Sequence, residues 1–194
     1  GLEKRRQQGR RDTSPPERIA VERWLAGTVD RVVATTAAER DQLVAAGAPR
    51  ERVAVIPCGV DTARFAPHGP VWPTRGDRRR IVVLSRLVER KGIGNVVEAL
   101  ADLPDTELLV AGGPPIGLLQ DDPEARRLQQ LACAVGVQDR VELLGAVERR
   151  RVPSLLRSAD VVACCPWYEP FGLVAVEAMA CGRPVVATAV GGLA

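Results

Sequence analysis

The sequence is poor in the residues that several functional classes require. Aromatic residues make up 3% of the 194 positions, so few side chains are available to stack on nucleic-acid bases. The net charge is only +3 and the basic residues are dispersed, which also argues against nucleic-acid binding. No uninterrupted apolar run approaches the roughly 20 residues of a membrane helix. The composition therefore predicts an ordinary globular protein without a nucleic-acid partner.

Histidine, lysine and paired cysteines are also scarce. The single histidine, His68, lies in a stretch rich in proline and glycine, which is a poor position for the base of a catalytic triad. The 5 cysteines are odd in number and none has C-x-x-C spacing, so we expect no metal site and a reducing, cytoplasmic setting. Lys4 and Lys91 are the only lysines among 27 basic residues, so a lysine within a motif is informative.

Both ends of the chain suggest truncation. It begins with Gly1 rather than Met and ends in Gly-Gly-Leu-Ala directly after a strand-like run. A Gly-Gly turn at that place predicts a further element. We therefore expect a fragment of a longer protein.

The first 56 residues read as the end of one domain. Residues 1–16 are basic and polar and are typical of a solvated loop. Thr36 followed by Glu39 predicts a capping box. The predicted elements are a helix over 17–29, a strand over 31–35, a helix from Thr36 to about Gly47 and a strand over 53–56.

Residues 57–80 differ in character from their neighbours. They are rich in proline and glycine and end in three consecutive arginines. Such composition is typical of an interdomain linker, although a long surface loop within one domain has the same signature. We predict a domain boundary here.

Residues 81–194 alternate between strand and helix patterns and predict a second domain, incomplete at its C-terminus. Strands are predicted at 81–84, 107–110, 141–144, 161–164 and 184–187, and helices at 95–103, 123–135, 152–158 and 171–180. Several strands are continuous apolar runs, which indicates parallel strands covered on both faces. The pattern predicts an α/β, doubly wound, Rossmann-like sheet.

Ligands of such sheets bind beyond the carboxyl ends of the strands. Arg86 and Lys91 follow the strand at 81–84, in a loop that enters a helix near Gly92. Two cations at such a place suit a diphosphate, although two solvated surface cations would give the same sequence pattern. The pair Gly112-Gly113 follows the next strand, without the spacing of a dinucleotide fingerprint.

Glu169 and Glu177 are the most informative carboxylates. Eight residues of helix correspond to roughly 12 Å, which is too far for the paired carboxylates of a glycoside hydrolase. The spacing suits two hydroxyl-bearing parts of one extended ligand, with backbone N–H groups of residues 171–173 between them. The alternative is structural: Glu169 caps the helix and Glu177 is a surface residue.

These residues lie in motifs that resemble the retaining glycosyltransferases of family 4, which have the GT-B fold of two Rossmann-like domains. The motifs are Ser85-Arg-Leu-Val-Glu-Arg-Lys-Gly92, Ala159-Asp-Val-Val162 and the stretch from Glu169 to Val185 with its E-x7-E pattern. Residues 57–67 resemble the linker between the two domains. The resemblance covers nearly all of residues 17–194, and the opening residues resemble actinobacterial members.

The resemblance implies a role for each matching residue. Arg86 and Lys91 would bind the donor diphosphate, and Glu169 the hydroxyls of the transferred sugar; these three form the expected catalytic set. Glu177 would bind the ribose. The remaining donor contacts would come from backbone of Phe171, Gly172 and Leu173 and, around the base, from the loops at Gly113 and Val147.

The resemblance also implies the reaction. A hexosyl group would pass from a UDP-, GDP- or ADP-sugar to an unknown acceptor with retention of configuration, without metal or cofactor. The acceptor domain would lie largely outside this chain, so we expect the chain alone to be inactive. Peripheral membrane contact through that domain is also possible. Two other classes are kept: a nucleotide-sugar epimerase or phosphorylase of the same plan, and a non-catalytic nucleotide-binding module.

Overall fold

A computed structural model describes residue 15, residues 17–73 and residues 76–194. The loop predicted for residues 1–16 lies, apart from Pro15, outside this range. The described residues form two compact units. The smaller unit comprises those up to Gly59 together with 168–171 and 190–194, and the larger unit comprises those of 60–167 and 172–189.

The smaller unit contains a two-stranded parallel sheet. Its elements are α1 (Arg18–Thr28), β1 (Val32–Ala34), α2 (Ala37–Ala45) and β2 (Val53–Val55). A small apolar core centred on Ala34 and Val53 fills the unit. All four elements agree in type with the sequence prediction.

The start of α2 is fixed by two consecutive threonines. Thr36 Oγ1 accepts a hydrogen bond from the Glu39 N–H at 3.1 Å, as predicted. Glu39 Oε2 in turn accepts hydrogen bonds from the N–H and the hydroxyl of Thr35, both at 2.7 Å. In a standard capping box this acceptor would serve the N–H of Thr36.

The larger unit is built on a five-stranded parallel sheet. Its elements are β3 (Arg79–Leu84), α3 (Ile93–Ala99), β4 (Thr106–Ala111), α4 (Pro123–Ala134), β5 (Val141–Gly145), α5 (Val152–Arg157), β6 (Val161–Cys164), α6 (Leu173–Ala180) and β7 (Val185–Ala187). The strand order is β5-β4-β3-β6-β7. Because the order reverses between β3 and β6, the sheet is doubly wound, as predicted.

Hydrophobic cores cover both faces of this sheet. Val83 and Leu108 contribute to one core, together with residues of α3 and α4. Their strand neighbours Val82 and Leu109 contribute to the other, together with residues of α5 and α6. Successive side chains of a strand point to opposite faces, so the apolar runs of the sequence supply both cores at once.

Three elements start two residues away from their predicted starts. β3 begins at Arg79, inside the predicted linker, because the Arg79 N–H extends the β4 pairing by a 2.9 Å hydrogen bond to the Asp105 carbonyl. α3 begins at Ile93, directly after the left-handed Gly92. α6 begins at Leu173, because Gly172 is also left-handed, with φ 90°. The division into 1–56, 57–80 and 81–194 stays a prediction.

Within the described ranges, no helix combines the length and the apolar character needed to cross a membrane.

Candidate functional site

The larger unit has a cavity of ≈ 360 Å³ beyond the carboxyl ends of β3, β4 and β5, a size in the usual range for small-molecule sites. It is lined by Leu84, Ser85, Arg86, Gly112, Gly113, Val147, Arg149, Val152, Leu173, Val174 and Glu177. Five predicted site residues are therefore brought together: Arg86, Gly113, Val147, Leu173 and Glu177. This edge of a doubly wound sheet is where ligands are expected.

Glu177 is the buried carboxylate of the cavity wall. It is only 1% exposed, so the alternative that it is a surface residue is wrong. Arg149, in the loop between β5 and α5, donates a hydrogen bond from Nη2 to Glu177 Oε1. This bond is the main cause of the raised pKa of the Arg149 guanidinium. A charged partner is what a carboxylate removed from water requires.

Arg149 is also held from a second side. Its Cζ lies over the ring of Phe65, 4.8 Å from the centroid, which is a cation–π distance. Phe65 is itself buried, at 2% exposure, in the core that α5 and α6 share. The guanidinium therefore lies between an aromatic ring and a buried carboxylate.

Arg86 brings a cation to the same cavity. It lies in the loop between β3 and α3 and is an exposed residue. Within the described part of the chain, no carboxylate forms an ion pair with it. Lys91 closes a short 3₁₀ turn, Glu89–Lys91, further along that loop and is not a wall residue. Within the cavity wall, the negative charge of Glu177 is thus balanced by Arg149, whereas the positive charge of Arg86 is available to a ligand.

The loops after β4 and β5 are joined by backbone hydrogen bonds. The Gly112 N–H donates to the Gly145 carbonyl at 2.8 Å, and the Ala146 N–H donates to the Pro114 carbonyl at 2.9 Å. Gly113 has φ 85°, and a Cβ there would lie 2.7 Å from Leu87. A side chain therefore does not fit at Gly113, which agrees with the prediction that this residue acts through its backbone.

The N-terminus of α6 offers backbone donors. Gly172, which has no side chain, is its N-cap. The alternative that Glu169 caps the helix therefore stays open. The first N–H groups of a helix lack intrahelical acceptors. Leu173 and Val174, which carry such groups, line the cavity.

The other predicted site residues lie elsewhere. Gly172 and Lys91 belong to the larger unit but not to the cavity wall. Glu169 and Phe171 belong to the smaller unit. There the Glu169 carbonyl accepts a hydrogen bond from the Gly192 N–H at 2.9 Å. The roles assigned to these four residues stay predictions.

Arg149 is the site residue that the sequence analysis missed. It belongs to the charged run Glu148-Arg-Arg-Arg151, which on composition alone resembles a solvated loop. Its position supplied a usable signal: the run follows β5 directly, at the sheet edge where the other site residues gather.

Two family descriptions together match almost the whole chain. Residues 69–194 match the family described as "Glycosyl transferases group 1", and residues 1–64 match "Glycosyltransferase Family 4". Among curated proteins, the D-inositol 3-phosphate glycosyltransferase of Mycolicibacterium smegmatis is 39% identical over 186 residues, which cover 92% of this chain and 42% of that protein. The corresponding protein of Xylanimonas cellulosilytica is 41% identical over 192 residues, 92% of this chain and 45% of that protein.

Solved structures have the same fold. Anabaena HepE in complex with UDP and glucose superposes with a TM-score of 0.79 at 29% identity, over 92% of this chain and 50% of that one. Sucrose-phosphate synthase from Thermosynechococcus elongatus gives a TM-score of 0.81 at 33% identity, over 93% of this chain and 46% of that one. The GT-B prediction is thereby confirmed. The chain spans less than half the length of the curated relatives named above.

Proposed function

Since this chain belongs to the glycosyl transferases group 1 family, we propose that it carries the donor site of a retaining hexosyltransferase that uses a nucleotide-diphosphate sugar. The observation that supports this most is that one cavity contains both an exposed cation, Arg86, and a buried carboxylate, Glu177. A nucleotide diphosphate carries both complementary groups, an anionic diphosphate and a ribose diol.

The proposed donor is a UDP-hexose. HepE, at 29% identity, was solved with UDP and with UDP-glucose, and its fold superposes on this chain over the cavity-bearing unit. GDP- and ADP-sugars are the comparison donors, because the wall residues Gly112, Gly113 and Val147 have no polar side chain with which to select one base.

In this assignment Arg86 and Lys91 contact the diphosphate, and Glu177 accepts hydrogen bonds from the ribose hydroxyls. Backbone N–H groups at Gly172 and Leu173 contact phosphate or sugar, and the loops at Gly113 and Val147 border the base. Glu169 and the backbone of Phe171 contact the transferred hexose.

The proposed chemistry needs little from the protein beyond charge and position. The bond between the anomeric carbon and the diphosphate breaks while the acceptor oxygen attacks the same face, and the acceptor proton passes to the leaving phosphate. Arg86 and Lys91 stabilise the negative charge that develops on the diphosphate. With this charge neutralised by side chains, transfer is proposed to proceed without a metal ion and to resist a chelator.

The acceptor is proposed from the relatives. Proteins 38–41% identical to this chain are named D-inositol 3-phosphate glycosyltransferases, so D-inositol 3-phosphate is the first acceptor to test. Since the chain covers 42% of such a relative, we propose that turnover requires the remainder of the protein and that the 194-residue chain supplies donor binding alone.

The test uses full-length protein with radiolabelled UDP-glucose, GDP-mannose or ADP-glucose, each with D-inositol 3-phosphate and with EDTA. We expect labelled product from the UDP-sugar, with the anomeric configuration of the donor. Conversion of the sugar nucleotide without an acceptor would indicate the epimerase alternative. Nucleotide binding without any transfer would indicate the binding module. An inverted product would contradict the proposed mechanism.

A further inference from the structure

The Glu177 carboxylate has one hydrogen-bond partner within the described part of the chain. Its Oε1 accepts from Arg149 Nη2, and its side chain is 2% exposed against 53% for Arg149. An ionised carboxylate has two oxygens and about four acceptor positions. Arg149 contacts Oε1, so Oε2 keeps its capacity to accept hydrogen bonds from a ligand.

The three arginines of the loop have different partners. Arg149 contacts Glu177 and the Phe65 ring. Arg150 contacts Glu148 and is 80% exposed. Arg151 lies over the Trp72 ring, with its Cζ 4.2 Å from the centroid. A role at the carboxylate is therefore specific to Arg149, and its neighbour Arg150 provides a matched control.

We propose that Arg149 is a positioning residue that holds the Glu177 carboxylate in the orientation needed to recognise a ribose diol, and that it thereby sets the preference of the site for ribonucleotides over 2′-deoxyribonucleotides. This inference rests on the proposed donor site. Arg149 acts through Glu177: a guanidinium contact on one oxygen, with a ring behind the guanidinium, restricts the orientation of the carboxylate.

The loss of Arg149 therefore has a defined consequence. A carboxylate no longer held by a guanidinium can rotate or bind water. Its hydrogen bonds to the two ribose hydroxyls then form only when the carboxylate is ordered again, which lowers the affinity. A nucleotide with both hydroxyls would lose affinity, whereas a 2′-deoxynucleotide, which lacks one of them, would lose less. The ratio of the two affinities thus reports on positioning, while a general loss of packing would lower both affinities equally.

The experiment measures the Kd of UDP and of 2′-deoxyuridine 5′-diphosphate by isothermal titration in full-length protein. Wild type is compared with R149A, R149K, E177Q, R149A/E177Q and the control R150A, each checked for folding by thermal unfolding. One charge-assisted hydrogen bond corresponds to about tenfold in affinity. We expect wild type and R150A to prefer UDP by about tenfold, R149A and E177Q to lose most of that preference, and the double variant to lose no more than either single variant.

R149K keeps the cation without the planar two-nitrogen group, and we expect it to recover part of the preference, which also keeps the test usable if R149A is poorly folded. If R149A kept the full preference for UDP, the role of Arg149 would be overturned. A preference in R149K no greater than that in R149A would overturn it too. Equal affinity of wild type for both nucleotides would overturn it as well. A wild type that binds none of UDP, GDP and ADP would overturn the proposed donor site itself, which is a different result.

Discussion

Gly112 and Ser85 approach so closely that a Cβ on Gly112 would lie 1.8 Å from the Ser85 carbonyl oxygen. Gly112 also has φ 133°, a conformation that residues with a side chain rarely adopt. At this point the loops after β3 and β4 meet backbone to backbone. This close approach forms part of the cavity wall that carries Arg86.

The first prediction concerns this contact. Gly112→Ala should lower the free energy of unfolding by at least about 1–3 kcal/mol, the usual cost of a strained backbone, and should weaken UDP binding. Urea denaturation and titration with UDP measure the two effects. Gly117→Ala is the control, since a Cβ at Gly117 meets nothing within 4 Å. Equal stability of the two variants would show that the loops can separate freely.

A second prediction concerns the cations after β3. Arg86→Ala and Lys91→Ala should each lower the rate of transfer by at least about tenfold, because a hydrogen bond to a charged group contributes about 1.5–3 kcal/mol. Arg126→Ala, an exposed arginine on α4, should leave the rate unchanged. Wild-type kinetics in both Arg86→Ala and Lys91→Ala would exclude the diphosphate assignment.

A third prediction separates the two glutamates. Glu177→Gln should mainly weaken binding of free UDP, because the ribose does not react and its contact is similar in ground and transition states. Glu169→Gln should mainly lower kcat, because the hexose changes charge and geometry. Isothermal titration with UDP and steady-state kinetics measure both. Similar losses of UDP affinity in the two variants would contradict this division of roles.

A fourth prediction concerns the opposite end of the sheet. Arg80 on β3 is 3% exposed and donates from Nε to Glu107 Oε1 at 2.6 Å, while its Nη1 is buried without a hydrogen-bond partner among the described residues. Glu107→Ala would leave this cation buried and unpaired, a change that costs about 3–5 kcal/mol of stability. Urea denaturation should show that loss.

The control for Glu107 is an exposed pair of the same type. Arg78 and Asp139 are 3.4 Å apart, with both side chains substantially exposed. Asp139→Ala should change the free energy of unfolding by less than about 1 kcal/mol. Equal losses in the two variants would show that burial does not determine the contribution of these pairs.

The strands of the fold were predictable because their signals are local. Several parallel strands of the larger unit contain continuous apolar runs, and β3, β4, β5 and β6 supply residues to both cores. The helix starts were less predictable: α3 and α6 begin directly after glycines with positive φ, and a sequence shows a glycine without showing its φ.

Site residues that follow the ends of strands were predictable from the sequence. The burial of a site residue was less predictable. Arg86 and Glu177 were identified, but the sequence allowed Glu177 to be either a buried ligand residue or a surface residue. Its burial depends on the packing of α6 against the sheet, a tertiary feature. Arg149 was missed for the same reason, because its partner lies 28 positions away in the chain.

The central claim is that the cavity between Arg86 and Glu177 binds the nucleotide of the donor. The most direct measurement is a crystal structure of the protein with UDP. We predict ribose hydroxyls within hydrogen-bond distance of the Glu177 carboxylate and the diphosphate beside Arg86. UDP bound at another place on the protein, with this cavity empty at saturating concentration, would contradict the account.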